Sequence, residues 1–443
     1  MLLNFKNYIS NDLISTLINQ LWRLVSGPLT LVLIPVYLTA EEQGYWYTFS
    51  SLAALAVLAD LGFSTIILQF AAHEFAYLKF DSNKKIIGEE LHLKKIATLF
   101  MFCLKWSGSI VVVAFPIILI IGFYMLSSKL TNVQWYVPWI IYGISSAIVF
   151  FNVTILSFFE GCNLVGKVQS IRFKIAVCAS SIMFICLILK FNLYSLSLSL
   201  LVSALFGTYM IYRNFSVVIK DFILIAKNYS YSWKKEFLSL IWRYAISWAS
   251  GYFIFQIYTP LTFQFHGAIE AGKVGISMAL WTAVFSLSNV WVYAVTPRLN
   301  MYVSKQEWRN LDKAFFRNLA KSSVTFLLGI IIVFALMIIF QGKLSILDRF
   351  VSVTSMGFLA ACWFLQIIIN TLAVYLRAHK EEPLVLSSVV SAIYIAITTL
   401  LCVRYLSAEY LFLGYLSSYL FGTPWVIYIF YQRRKRHVMN LEV

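Results

Sequence analysis

Apolar residues in this chain come in runs of about twenty, separated by short polar turns. That is the length at which an α-helix crosses the hydrocarbon core of a bilayer. Read in order, the runs predict twelve spans: 13–38, 44–71, 96–126, 135–159, 168–189, 193–212, 239–265, 274–297, 320–340, 352–376, 384–405 and 410–431. Inside several spans the polar residues recur every three or four positions, which gathers them on one helical face. The first span carries Thr16, Asn19, Arg23, Ser26 and Thr30, and the eighth carries Thr282, Ser286, Asn289, Tyr293 and Thr296. The tenth offers Gln366, Asn370 and Arg377, and the eleventh Ser387, Ser391, Tyr394 and Thr398. Turned toward lipid, such stripes are costly, so they point at other helices or at water. Two readings stand: hydrogen-bonding glue in a dry bundle, or the wall of a shared wet cavity, which stripes in both halves favour.

Composition strengthens the membrane reading. Of 443 residues 60% are hydrophobic and 12% charged, where soluble domains carry roughly a quarter charged residues. A net charge of +16 raises nucleic acid as a partner, but the positives sit in short loops between apolar runs, so none is expected. Of the 35 Lys and Arg residues, 22 fall in the loops and tail on one side and six in the loops on the other, an asymmetry that orients the chain with both termini cytoplasmic. The basic side comprises His73–Lys95, Arg213–Lys235, Arg298–Lys321, Arg377–Pro383 and the tail Arg433-Arg434-Lys435-Arg436. The tail reads as a stop signal that also touches anionic lipid. The first run carries Arg23 and no evident cleavage site, so it reads as a retained helix and not a signal peptide. The opposite loops are all short, which leaves no room for an external catalytic domain. The six cysteines form no CxxC or metal-like spacing.

The chain also repeats itself. Leu21-Trp22-Arg23-Leu24-Val25-Ser26-Gly27 is answered by Ile241-Trp242-Arg243-Tyr244-Ala245-Ile246-Ser247, and the outer turn Glu42-Gln43-Gly44-Tyr45 by Glu270-Ala271-Gly272-Lys273. Six spans separate the copies, so both run the same way through the membrane. Parallel repeats of this kind flank a central substrate site in transporters. The expected organisation is a six-helix lobe at 1–212, a cytoplasmic linker at 213–236, a second six-helix lobe at 237–432 and a basic cytoplasmic tail at 433–443.

Three ionisable residues lie deep in apolar runs: Arg23, Lys105 and Asp60, the last past the middle of the second span. A charge at the bilayer centre costs on the order of 3 kcal/mol on insertion scales, so each must be paired or used. Asp60 is able to pair with either cation; one positive charge is then left over, and a net cationic interior favours an anionic substrate such as a phosphate or pyrophosphate. Lys105 held neutral is the alternative. Arg243, the repeat partner of Arg23, either snorkels or contacts substrate. Glu160, Lys167, Arg172 and Lys174 flank the fourth-to-fifth turn as interfacial groups or as a gating ion pair. His266 is a weak candidate for a proton role. No Walker A loop, GxSxG, HExxH or paired-carboxylate constellation is present, so no enzyme activity is expected.

The Trp22-Arg23 helix, the Glu42-Gln43-Gly44-Tyr45 turn and the Ala59-Asp60-Leu61-Gly62-Phe63 stretch resemble polysaccharide-repeat flippases of the Wzx type. So do the Glu160-Gly161 turn leading to Val168 and Arg172, and the Gly267–Gly275 segment. That family shares a superfamily, MOP, with multidrug (MATE) exporters and lipid II flippases. The resemblance implies an all-α integral membrane protein with two six-helix lobes, alternating access, and residence in a bacterial inner membrane. The implied substrate is an undecaprenyl-pyrophosphate-linked oligosaccharide repeat of O-antigen or a related surface polysaccharide. A polymerase and a chain-length regulator are implied as further partners, beside membrane lipids. On this resemblance Arg23, Lys105 and Arg243 line the cavity and Asp60 has a conformational role; the polar stripes add Asn19, Asn289 and Asn370 to the lining, and Glu160 and His266 are the further candidates for gating or coupling. No cofactor or metal is expected, only coupling to a proton or cation gradient. Rival readings are a multidrug or cation exporter, a lipid II flippase, and a polytopic polysaccharide polymerase, which would need a sizeable outer loop.

Overall fold

The computed structural model describes residues 11–60, 62–81, 86–128, 131–340, 342–379 and 382–439. The helices in chain order are α1 (Asn11–Tyr37), α2 (Ala40–Ala53), α3 (Ala56–Asp60), α4 (Phe63–Phe75), α5 (Glu90–Ser127), α6 (Tyr136–Gly161), α7 (Val165–Ile188) and α8 (Tyr194–Lys227). They continue as α9 (Lys234–Phe255), α10 (Tyr258–His266), α11 (Ala268–Ser304), α12 (Trp308–Ile339), α13 (Val353–Ala378), α14 (Val385–Tyr405) and α15 (Leu413–Met439). Among the described residues nine of these, α1, α5 to α8 and α11 to α14, are long and apolar enough to cross a membrane. Their outward faces carry large exposed apolar side chains, such as Val112, Ile120 and Tyr124 on α5 and Ile331, Ile332 and Ile338 on α12. Faces of that extent are suited to lipid, not water.

Two predicted spans are broken. The second is divided among α2, α3 and α4; Gly62 adopts a left-handed φ of 78° between the last two. The seventh is divided between α9 and α10, because Pro260 in the first turn of α10 has no N–H to return to the preceding turn. On the basic side the helices outrun the apolar runs: α5 begins at Glu90, α8 continues to Lys227 and α11 to Ser304. Residues 213–227 are thus helix. The segment expected as a plain basic loop at 73–95 contains a small antiparallel hairpin, β1 (Leu78–Phe80) with β2 (Ile86–Gly88), in which Lys79 faces Ile87. Apart from that hairpin the regular structure of the described residues is helical, as the all-α reading expects.

The chain forms two compact units. The first takes in Met1–Leu38 and Phe49–Ala249, the second Thr39–Thr48 and Ser250–Val443. In the first, α6 packs on α8 and α4, and α1 on α7. Its core is an aromatic stack in which Phe159 lies on Phe215 with ring centroids 4.0 Å apart, flanked by Phe100, Phe158 and Phe222. In the second, α11 packs on α12, α10 and α13 around Trp281, Met356, Trp363 and Tyr415.

The second unit holds the tip of the predicted second span, and the sequence explains why. Thr39 and Glu42 form a capping box at the start of α2: the Glu42 carboxylate accepts from Thr39 N at 2.9 Å, and Glu42 N donates to Thr39 Oγ1 at 3.2 Å. The next residue, Gln43, is buried and donates to the carbonyl of Gly272 at 2.9 Å. A Cβ on Gly44 would stand 1.9 Å from the Ala268 carbonyl oxygen, and one on Gly272 would stand 2.9 Å from Gly44 N. The two outer turns matched in the sequence repeat therefore lie directly against each other, and only glycine permits that approach.

Candidate functional site

The richest polar cluster among the described residues lies in the first unit, where α1, α6 and α7 meet. Helical spacing supplies its parts in pairs: Asn19 and Arg23 four apart on α1, Ser157 and Glu160 three apart at the end of α6, Gln169 and Arg172 three apart on α7. Each pair shares a face. The short Gly161–Leu164 turn folds α7 back so that the last two pairs oppose.

Arg172 Nη1 lies 2.8 Å from Glu160 Oε2, and Arg172 Nη2 reaches Ser157 Oγ at 3.4 Å. Gln169 Nε2 donates to Glu160 Oε1 at 2.9 Å, and Asn19 Nδ2 donates to Gln169 Oε1 at 2.9 Å. Asn19 is 2% exposed, and its Oδ1 is buried without a hydrogen-bond partner among the described residues. Arg23, one turn on, is exposed and within electrostatic reach of Arg172. No carboxylate among the described residues lies within 4.0 Å of it. One guanidinium is thus paired with a carboxylate and the other is not, and the cluster retains one positive charge. In a low-dielectric setting such a surplus draws an anion, and guanidinium forks match phosphate oxygens two at a time.

The remaining predicted residues fall elsewhere. Lys105 is exposed on α5, which packs on α4, α6 and α8, and no bond joins its ammonium to the α1–α7 cluster. Asp60 pairs with neither Arg23 nor Lys105 among the described residues. Its Oδ1 accepts from Ser64 Oγ at 2.9 Å and Ser64 N at 3.3 Å, which closes the first turn of α4 across the break at Gly62. In the second unit Asn370 Nδ2 donates to Asn289 Oδ1 at 3.0 Å, tying α13 to α11. Asn289 is fully buried there, so this pair is interhelical glue. Tyr419 donates to Gln366 at 2.7 Å in the same manner. His266 ends α10 with its Nε2 buried and unpartnered among the described residues. Arg243 falls on α9, and its side chain lies outside the described residues. No group of three potential metal ligands occurs among the described residues.

Sequence reasoning passed over Gln169 and Ser157 and gave Arg172 only an interfacial or gating role. The available signal was two i, i+3 polar pairs mirrored about a short Gly-containing turn.

No protein-family model and no curated protein matches the sequence. Solved structures do match over nearly the whole chain. An inward-facing multidrug-resistance MATE transporter of the MOP superfamily gives a TM-score of 0.64 at 13% identity, covering 95% of this chain and 96% of that chain. The MATE multidrug transporter DinF-BH gives 0.64 at 11% identity, covering 95% and 94%. A MOP-superfamily transporter from Pyrococcus furiosus Vc1 (DSM3638), whose binding pocket of reverse polarity suggests a different function, gives 0.51 at 12% identity, covering 96% and 94%. The fold is therefore that of the MATE transporters, a multi-pass membrane architecture.

Proposed function

We propose that this chain is a transporter that moves an undecaprenyl-pyrophosphate-linked oligosaccharide repeat unit across a bacterial inner membrane by alternating access. The observation that carries the reading is the surplus cation of the Arg23 and Arg172 pair, of which only Arg172 has a carboxylate partner, Glu160, among the described residues. A pyrophosphate head supplies the missing negative charge, the sugars follow it into the polar interior, and the lipid tail stays in the bilayer. Deep cations persist in membrane helices when a ligand uses them. The reverse pocket polarity described for the Pyrococcus furiosus transporter is a precedent for charge divergence within one fold. Lys105, exposed and without an ion-pair partner among the described residues, is a second cationic contact along the path. The rival reading, a multidrug exporter, rests on the names of the structural neighbours; it calls for an acidic cavity, whereas this cluster is net positive.

The test is reconstitution in vesicles with an undecaprenyl-pyrophosphate-linked oligosaccharide, scored by exposure of the sugar to an impermeant lectin. Arg23→Ala, at matched protein content, is expected to reduce translocation to the protein-free rate. Translocation by Arg23→Ala at the unmodified rate, or drug efflux with no lipid-linked sugar transfer, would reject the proposal.

A further inference from the structure

Arg172 and Glu160 form a partly buried ion pair whose members are 22% and 15% exposed. The usual expectation for such a pair is a fixed brace between helices. Three observations argue against that here.

The guanidinium is under-used. It has five N–H donors, yet its only partners among the described residues are Glu160 at 2.8 Å and Ser157 at a long 3.4 Å. Arg23 adds a second positive charge within reach, which one carboxylate does not balance.

The carboxylate has somewhere to go. On its other side Glu160 lines a cavity of about 570 Å³, walled by Leu68, Ala72, Phe75, Gly161 and Asn163. Glu160 is the only ionisable residue among those lining it. The backbone at this corner is tightly held, since a Cβ on Gly161 would stand 2.4 Å from the Leu68 carbonyl oxygen. Movement therefore belongs to the side chain, not to the end of α6.

The network has a spare acceptor. Gln169 donates to Glu160 and accepts from Asn19, while Asn19 Oδ1 is buried with no partner among the described residues. If Glu160 leaves, the Gln169 amide has Asn19 Oδ1 beside it as a new partner.

We infer that Glu160 is a resident counter-ion: an incoming phosphate or pyrophosphate group takes its place on Arg172, and the freed carboxylate swings toward Asn163 and the cavity beside α4. Binding and the side-chain rearrangement at the α6–α7 corner are then one event, relayed to α1 through Gln169 and Asn19. The inference rests on the reading of Arg23 and Arg172 as the headgroup site. It makes Glu160 an internal competitor of substrate, so its removal strengthens binding.

The experiment uses the full chain in lipid nanodiscs with inorganic pyrophosphate as the probe, measured by titration calorimetry and by the ligand-induced rise in melting temperature. Glu160→Gln is expected to bind pyrophosphate about fivefold or more tightly than the unmodified protein, the equivalent of one partly buried ion pair no longer broken on binding. Arg172→Ala and Arg23→Ala are expected to weaken it. Glu160→Asp, which keeps the charge on a shorter arm, falls between and serves if the glutamine variant does not fold. Should pyrophosphate bind in an arginine-dependent way while Glu160→Gln binds equally or less well, the counter-ion role is overturned and the headgroup site stands. If neither the unmodified protein nor Glu160→Gln binds pyrophosphate, both are overturned.

Discussion

Replacing Gly44 by alanine probes the close approach of the two repeat-related outer turns. The added Cβ would stand 1.9 Å from the Ala268 carbonyl oxygen, 2.5 Å from its carbon and 2.9 Å from its Cα. All three are backbone atoms, so no side chain can rotate away. Ordinary C···O contacts begin near 3.3 Å, and the helices must separate by roughly 1.4 Å to restore one. Overpacking of this kind costs about 1–3 kcal/mol. Separation also stretches the bond from buried Gln43 Nε2 to the Gly272 carbonyl, now 2.9 Å, and a buried donor left without its acceptor costs about 1–3 kcal/mol more. Alanine returns about 1 kcal/mol through its greater helix propensity. The net loss is about 3 kcal/mol, which corresponds to a fall in melting temperature of about 6–12 °C for a unit of this size. The assay is thermal unfolding followed by tryptophan fluorescence in detergent. Gly357→Ala on α13 is the internal control: a Cβ there meets nothing within 4 Å, so it is expected to melt at or slightly above the unmodified protein. Equal melting of Gly44→Ala and Gly357→Ala would show that the glycine contact has no steric role.

Two further outcomes are expected. Asp60→Ala should destabilise by about 1 kcal/mol through loss of the bonds to Ser64, while Asp60→Asn retains an acceptor and costs a few tenths; if instead Asp60→Asn matches the loss in Asp60→Ala, the negative charge and not the cap is what matters. For Asn289 and Asn370, a double-mutant cycle on thermal stability should give a coupling on the order of 0.6 kcal/mol, typical of interhelical polar pairs in membranes, and the single alanine variants should leave pyrophosphate binding unchanged; weakened binding would return them to the ligand path.

Much of the architecture was legible in the order of apolar runs, because a lipid-spanning helix needs about twenty such residues wherever it stands. What the runs did not convey is where helices stop. Past the predicted ends, core packing of Phe215, Val218 and Phe222 carries α8 on to Lys227, and α5 reaches back to Glu90, which pairs with Lys94, so polar residues there carry no end signal. The break at Gly62 hid for a related reason: Asp60 reads as a buried charge in search of a counter-ion, yet the short sequence Asp60-Leu61-Gly62-Phe63-Ser64 also encodes a left-handed residue and a cap for the next helix. The candidate site was half visible. Arg23 and Asn19 stand out as polar residues in an apolar run, whereas Arg172 and Glu160 lie near a turn where charges are ordinary. Only the packing of α1 on α7 makes one cluster of them.

The two units treat their polar residues differently, and that difference bears on where an anionic ligand is met. In the second unit the ion pairs among the described residues sit at helix ends: Glu270 with Lys273, Arg377 with Glu382, and Arg434 with Asp312. Its interior side-chain contacts include neutral bonded pairs, Asn289 with Asn370 and Gln366 with Tyr419. Neutral pairs hold helices together and present no net charge. In the first unit Arg172 stands two turns inside α7, paired with Glu160, and Arg23 three turns inside α1 with no carboxylate partner among the described residues. A charge kept at that depth costs stability unless something offsets it, and no second carboxylate among the described residues does so. On the proposed reading a phosphorylated headgroup supplies the offset, met first on the α1–α7 face, and the neutral pairs of the second unit serve as scaffold.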